Sequence, residues 1–112
     1  MHYSRIMSEL EPAIRQLFDA TNRGDNEAFL DAFADGATLD DWGRTFTGRE
    51  AIAGWNAREN IGVNSHIEAT GVERAGDKIR VGVAVTGGGY NGGGSMTFTL
   101  AGDRIATMVI RG

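Results

Sequence analysis

Apolar residues recur at three- and four-residue spacing through the first part of the chain and alternate through the last, so helices precede strands. Leu10, Ile14, Leu17 and Phe18 line one face of a helix over residues 7–23, with Pro12 early enough for a first turn, Ser8 available as a cap and Gly24 as a stop. Asp25 or Asn26 caps a second helix, whose stripe of Phe29, Leu30 and Phe33 runs to Gly36. Residues 37–42 and 44–47 read as short strands about Gly43. Thr47-Gly48-Arg49-Glu50 reads as a capping box that opens a third helix, with Ile52 and Trp55 on its buried side.

From about Val63 the period changes to alternation, and Gly76, Asn91-Gly92 and Gly102-Asp103 mark hairpins between four antiparallel strands. A two-residue turn at Asn91-Gly92 sets Val85 opposite Phe98 and Val83 opposite Leu100. A three-residue loop about Gly76 sets Ile67 opposite Val83 and Ala69 opposite Val81, and one over Gly102, Asp103 and Arg104 sets Phe98 opposite Met108. All three registers give one apolar face: Ile67, Ala69, Ile79, Val81, Val83, Val85, Met96, Phe98, Leu100, Ala106, Met108 and Ile110. The opposite face, with His66, Glu68, Arg80, Thr86, Thr97, Thr99, Thr107 and Val109, is either solvated or an interface between two copies. Gly82, Gly87, Gly88, Gly89, Gly93 and Gly94 fall within these strands, which predicts bends and bulges in a strongly curved sheet.

At 112 residues the chain makes one domain, residues 1–112. It has no cysteine, which excludes disulfides and thiolate chemistry. No apolar run is long enough for a membrane span, and charges at residues 1–11 stand where a signal peptide needs an apolar stretch, so a soluble, cytoplasmic protein is expected. The net charge is −4; nine of the fifteen acids fall in residues 1–41 and the bases are scattered, which argues against nucleic acid as a partner. Gly87-Gly88-Gly89 is no phosphate loop, because no helix and no Lys-Ser or Lys-Thr follows it, and no cofactor is expected. His66, scattered carboxylates and a terminal His2 do not make a metal site.

Helices, an acidic strand end, a capped helix and then hairpins form the order of a cone-shaped α+β fold. In Asn22-Arg23-Gly24-Asp25, in residues 33–42 ending Asp40-Asp41-Trp42, in Gly48-Arg49-Glu50-Ala51-Ile52 with Trp55, in Tyr90-Asn91-Gly92 and in residues 98–105, the chain resembles the SnoaL-like branch of the nuclear-transport-factor-2-like superfamily. The resemblance spans nearly the whole chain. It implies three N-terminal helices packed on a strongly curved antiparallel sheet around an apolar pocket. The branch holds ketosteroid isomerases, polyketide cyclases, epoxide hydrolases, dehydratases and members without catalysis, so it specifies fold better than reaction.

Carried over by residue, the isomerase-type general base falls on Asp41. Strand parity agrees, since Asp41 shares a face with Leu39. A carboxylate in an apolar cavity is tuned toward proton exchange near neutral pH; the competing reading is a strand-end carboxylate bound to Arg44 or Arg49. The positions of the isomerase's tyrosine and protonated aspartate hold Leu17 and Met96, neither a donor, which argues against ketosteroid isomerisation. The expected pocket wall is Leu17, Phe18, Phe33, Leu39, Trp55, Val83, Val85, Met96, Phe98, Met108 and Ile110. Asp40 and His66 are expected to face outward. Arg44, Arg49, Arg58 and Glu59 are either solvated or ligand-facing, and Tyr90 either covers the pocket or meets a partner. The expected partners are a small apolar molecule and, through the outer sheet face, a second copy of the chain. A non-catalytic binding or dimerisation module of the same fold is the alternative to an enzyme.

Overall fold

The computed structural model describes residues 5–112. His2 lies outside them. The first helical segment is two helices, α1 (Arg5–Glu9) and α2 (Pro12–Arg23). Pro12 causes the break: it lacks an N–H and pushes its predecessor out of the helical region, and Glu11 sits at φ −57°, ψ 146°. Ser8 is inside α1 rather than at its cap, its hydroxyl donating to the Arg5 carbonyl at 2.8 Å. Gly24 ends α2 at φ 73°.

Asp25 caps α3 (Asn26–Asp31) by accepting the Ala28 N–H at 3.0 Å. The helix stops earlier than the stripe suggests, and Phe33 begins β1 (Phe33–Asp41). After β2 (Arg44–Thr47), α4 (Arg49–Glu59) starts at Gly48 with no side-chain cap, so the expected capping box does not form: Thr47 is held in the strand. A 3-10 turn over Ile61–Val63 leads into β3 (His66–Ala75), β4 (Lys78–Thr86), β5 (Gly92–Ala101) and β6 (Arg104–Arg111).

One open sheet results, ordered β2-β1-β6-β5-β4-β3, with β1 parallel to β6 and the other pairs antiparallel. Phe98 opposes Met108 as read from the sequence, although the turn is Gly102-Asp103 alone and a bulge near Leu100 absorbs the difference. The other two registers are corrected. Val85 faces Gly92 and Val83 faces Gly94, because Gly87, Gly88, Gly89, Tyr90 and Asn91 form the β4–β5 loop rather than strand. Ile67 faces Val85 and Ala69 faces Val83, since the turn is Gly76-Asp77 and a bulge follows at Thr70.

Both shifts are even-numbered between Ile67 and Ala69 and along β5, so the apolar face survives them. The bulge near Leu100 does change one position: Ile105 is fully buried where Ala106 was expected, and its N–H donates to the Ala32 carbonyl at 2.8 Å. The helices cover this face. Phe18 meets Phe98 edge-on with centroids 6.2 Å apart, and Phe29 contacts Phe33 at 5.4 Å and Trp55 at 6.3 Å. Asn60, buried, ties α4 to α2 by donating to Thr21 Oγ1 at 3.1 Å and to Asn56 Oδ1 at 2.9 Å. No helix among the described residues is long and apolar enough to cross a membrane.

Candidate functional site

A cavity of about 370 Å³ opens at one end of the sheet, where β1, β4 and β6 finish and β3 and β5 begin. Ile67, Val83, Val85, Met96 and Ile110 supply its apolar wall; Trp55 and Asn60 close one side. At the mouth stand Asp41, Trp42, Arg44, Arg58, Glu59 and Arg111, with Val63, Gly89 and Tyr90 across from them on the 3-10 turn and the β4–β5 loop. Such a volume and lining suit a small organic ligand.

Trp55, Val83, Val85, Met96, Ile110 and Asp41 are thus placed at the cavity. Leu17, Phe18, Phe33, Leu39, Phe98 and Met108 are not: they are buried in the solid core behind it, Leu17 and Phe18 from the helix side. Alternation tells which face a residue takes. It does not tell how far along the strand the packing opens.

Asp41 ends β1 with its side chain 14% exposed. Its Oδ2 accepts the indole N–H of Trp55 at 3.0 Å and a guanidinium N–H of Arg44. A buried indole needs an acceptor, and this bond fixes α4 against β1. Among the described residues no donor reaches Oδ1. Arg44 also grips Glu59 with both terminal nitrogens, at 2.9 and 2.6 Å, so two carboxylates share one cation at the mouth. Arg44 is half exposed, so solvent screens this network and its effect is positional.

Arg44 holds the Glu59 carboxyl below its usual value, and Glu59, then Asp41, push the guanidinium up. Arg111 and then the Gly43 N–H likewise lower Asp40, which does not line the cavity: it pairs with Arg111 at 2.9 Å and caps the turn at 2.7 Å. A carboxyl lowered on folding stabilises the fold above its ordinary pKa, and that stabilisation is lost as pH falls through the folded value. Denaturation midpoints are therefore expected to hold from pH 7 to 5 and to drop below about 4.5. In an Arg44→Gln variant, a carboxyl NMR titration should show Glu59 moving back up; no movement would contradict the pairing.

The contact of Asp41 with Arg44 is the one the strand-end reading named. Two features of the mouth escaped the sequence. The hairpin that joins Asp41 to Arg44 is a two-residue turn, Trp42-Gly43, in which both residues have positive φ, 53° and 90°. That is the primed hairpin geometry that Asn-Gly adopts most readily, and it costs a tryptophan about 1–2 kcal/mol. Ser65, just before β3, is 7% exposed and lines the cavity. Its hydroxyl has no partner among the described residues, yet it is not sealed off, so it opens into the cavity. Neither residue belongs to a periodic stretch.

The triple glycine has a local cause. A Cβ at Gly87 would sit 2.5 Å from the Asn64 carbonyl oxygen, and one at Gly89 would sit 2.9 Å from Val63 Cγ2. The loop lies against the 3-10 turn, with the Gly88 N–H donating to the Val63 carbonyl at 2.8 Å. His66 faces outward, 3.8 Å from Glu68. Among the described residues no cluster of His, Asp and Glu is arranged to hold a metal ion.

Sheet order, helices on one face and an end-of-sheet cavity define a small α+β pocket fold, and the profile of the SnoaL-like domain matches residues 14–108. The chain belongs to that family. A provisionally assigned polyketide cyclase from Sinorhizobium meliloti is 26% identical, covering 94% of this chain and 98% of its own, with a TM-score of 0.82. A protein of ketosteroid isomerase-like fold from Catenulispora acidiphila, in complex with trimethylamine, is 24% identical over 90% of this chain and 85% of its own, TM-score 0.77. An epoxide hydrolase/cyclase-like enzyme of pyran ring formation in polyether salinomycin is 21% identical over 88% and 86%, TM-score 0.78. No curated protein matches the chain.

Proposed function

We propose that this protein is an enzyme of the isomerase, cyclase or dehydratase type, in which Asp41 moves a proton on a small apolar substrate. The observation that carries this reading is a carboxylate at the mouth of an apolar cavity, held through Oδ2 by Trp55 and Arg44 while Oδ1 has no donor among the described residues. On a ketone, the C–H bond next to the carbonyl breaks, its proton passes to Asp41, and the electron pair moves onto the carbonyl oxygen as an enolate. Returning the proton to the same or another carbon restores the carboxylate. The enolate oxygen needs a donor that Leu17 and Met96 do not provide, and Ser65 is the hydroxyl available in the cavity.

A set of apolar cyclic ketones, followed for both binding and solvent-deuterium uptake, separates this from the alternative. Uptake above the buffer rate supports the enzyme. Binding without uptake would leave a hydrophobic-ligand module, the reading that the donor-free positions 17 and 96 favour. Ser65→Ala is expected to slow turnover about 10- to 100-fold, with little change in binding. An unchanged rate would remove Ser65 from the reaction.

A further inference from the structure

Trp42 and Tyr90 are the exposed large hydrophobic side chains among the described residues, and both stand at the mouth of the same cavity. Neither ring stacks on another aromatic or lies beneath a guanidinium: the ring contacts present join phenylalanines and Trp55, and the Arg44 guanidinium lies over Phe46. Each ring lies against glycine backbone, Trp42 on Gly112 and Tyr90 on Gly92, and each still leaves more than half of its residue's surface to water at one entrance. Both are held there. The Tyr90 hydroxyl donates to the Gly93 carbonyl at 2.7 Å, and the Asn91 side chain clamps the loop by accepting the Gly87 N–H at 3.2 Å and donating to the Gly87 and Gly89 carbonyls at 2.9 and 3.1 Å.

Trp42 is fixed by the primed turn, at a position whose positive φ disfavours it and favours asparagine. A strained, water-exposed aromatic at a ligand entrance points to a use there. Of the cations at the mouth, Arg44 is taken by Asp41 and Glu59 and Arg111 by Asp40, while the Arg58 guanidinium folds back along α4 over Gly54. A cavity of about 370 Å³, at roughly 30 Å³ per water-sized group, holds on the order of a dozen such groups, the size of a two-ring skeleton.

Resting on the reading that the cavity takes a small molecule, we propose that Trp42 and Tyr90 select the shape of that molecule, accepting a flat conjugated ring system against their faces and disfavouring its puckered, saturated counterpart. Conjugated rings gain offset or edge contacts with these aromatics that a saturated skeleton of the same carbon count cannot make. Selection then resides at the mouth, and proton transfer at Asp41.

Calorimetric titration with 2-naphthol and with decahydro-2-naphthol tests this, because the two share a carbon skeleton and a hydroxyl and differ in flatness. The wild-type chain is expected to prefer 2-naphthol by tenfold or more. Trp42→Asn, which suits the turn and should melt no lower than wild type, and Tyr90→Leu, which keeps apolar bulk, should each cut that preference at least threefold. An absent preference, a preference that neither variant changes, or no binding of either alcohol would overturn the proposal. A preference that depends on both residues in a protein that moves no proton would uphold it and overturn only the catalytic reading.

Discussion

Replacing Asp41 with Asn is expected to lower turnover by about 10²- to 10⁴-fold, the usual contribution of a positioned acid–base group. The variant should still fold. An amide oxygen can accept the Trp55 N–H as the carboxylate does, and Arg44 retains Glu59 through two contacts. Substrate affinity should change little, because the apolar wall of Ile67, Val83, Val85, Met96 and Ile110 is untouched. The loss should therefore appear in kcat and spare KM, the signature of an interaction realised in the transition state. A variant that loses affinity and rate together, or that melts well below wild type, would make Asp41 a structural carboxylate. Steady-state kinetics alongside thermal melts distinguishes these.

Gly62→Ala carries the largest expected cost to stability. A Cβ there would lie 1.5 Å from the Ala57 carbonyl oxygen, so backbone must move. The contact is with the last turn of α4, where no flexible side-chain end can give way. Overpacking of a fixed backbone costs typically 1–3 kcal/mol and more when nothing yields, so a loss of about 3 kcal/mol is expected, read as a lower denaturant midpoint at unchanged slope. Function should follow stability. Residue 62 lies between Asn60 and Val63, which both line the cavity, and Val63 receives the Gly88 N–H that seats the β4–β5 loop. An alanine tolerated without loss of stability would mean that this turn is far looser than its contacts imply.

The faces of the strands were legible from the sequence even where their registers were not. Asn91-Gly92 carries the strongest hairpin signal in the chain, yet Asn91 spends its side chain clamping a five-residue loop and Gly92 opens β5. The resulting six-position displacement of the β4–β5 register is even, so Val83, Val85, Met96 and Phe98 keep their orientation. Ile105 shows the opposite case. One bulge turned it inward in place of Ala106, and nothing in the local sequence marks that bulge.

The site was legible in part, for a related reason. Parity and resemblance lead to Asp41, and inward-facing positions lead to Val83, Val85, Met96 and Ile110. Phe98 and Met108 share that parity but sit farther from the open end of the sheet, where helix side chains fill the space. Glu59 and Val63 belong to the helix end and 3-10 turn, and Ser65 to the link before β3, where no period exists to place them. The pairing of Arg44 with Glu59 spans fifteen residues and needs α4 docked on the sheet, whereas its pairing with Asp41 is local to the hairpin.

Proton transfer by Asp41 is tested most directly by proton NMR of 2-tetralone, a two-ring ketone with acidic C–H bonds beside its carbonyl, dissolved in heavy water with the protein. Wild type is expected to speed the loss of those proton signals at least tenfold over buffer, and Asp41→Asn to return them to the buffer rate. Exchange at the buffer rate with wild type, or equal acceleration by both proteins, would contradict the assignment of Asp41 as the group that moves the proton.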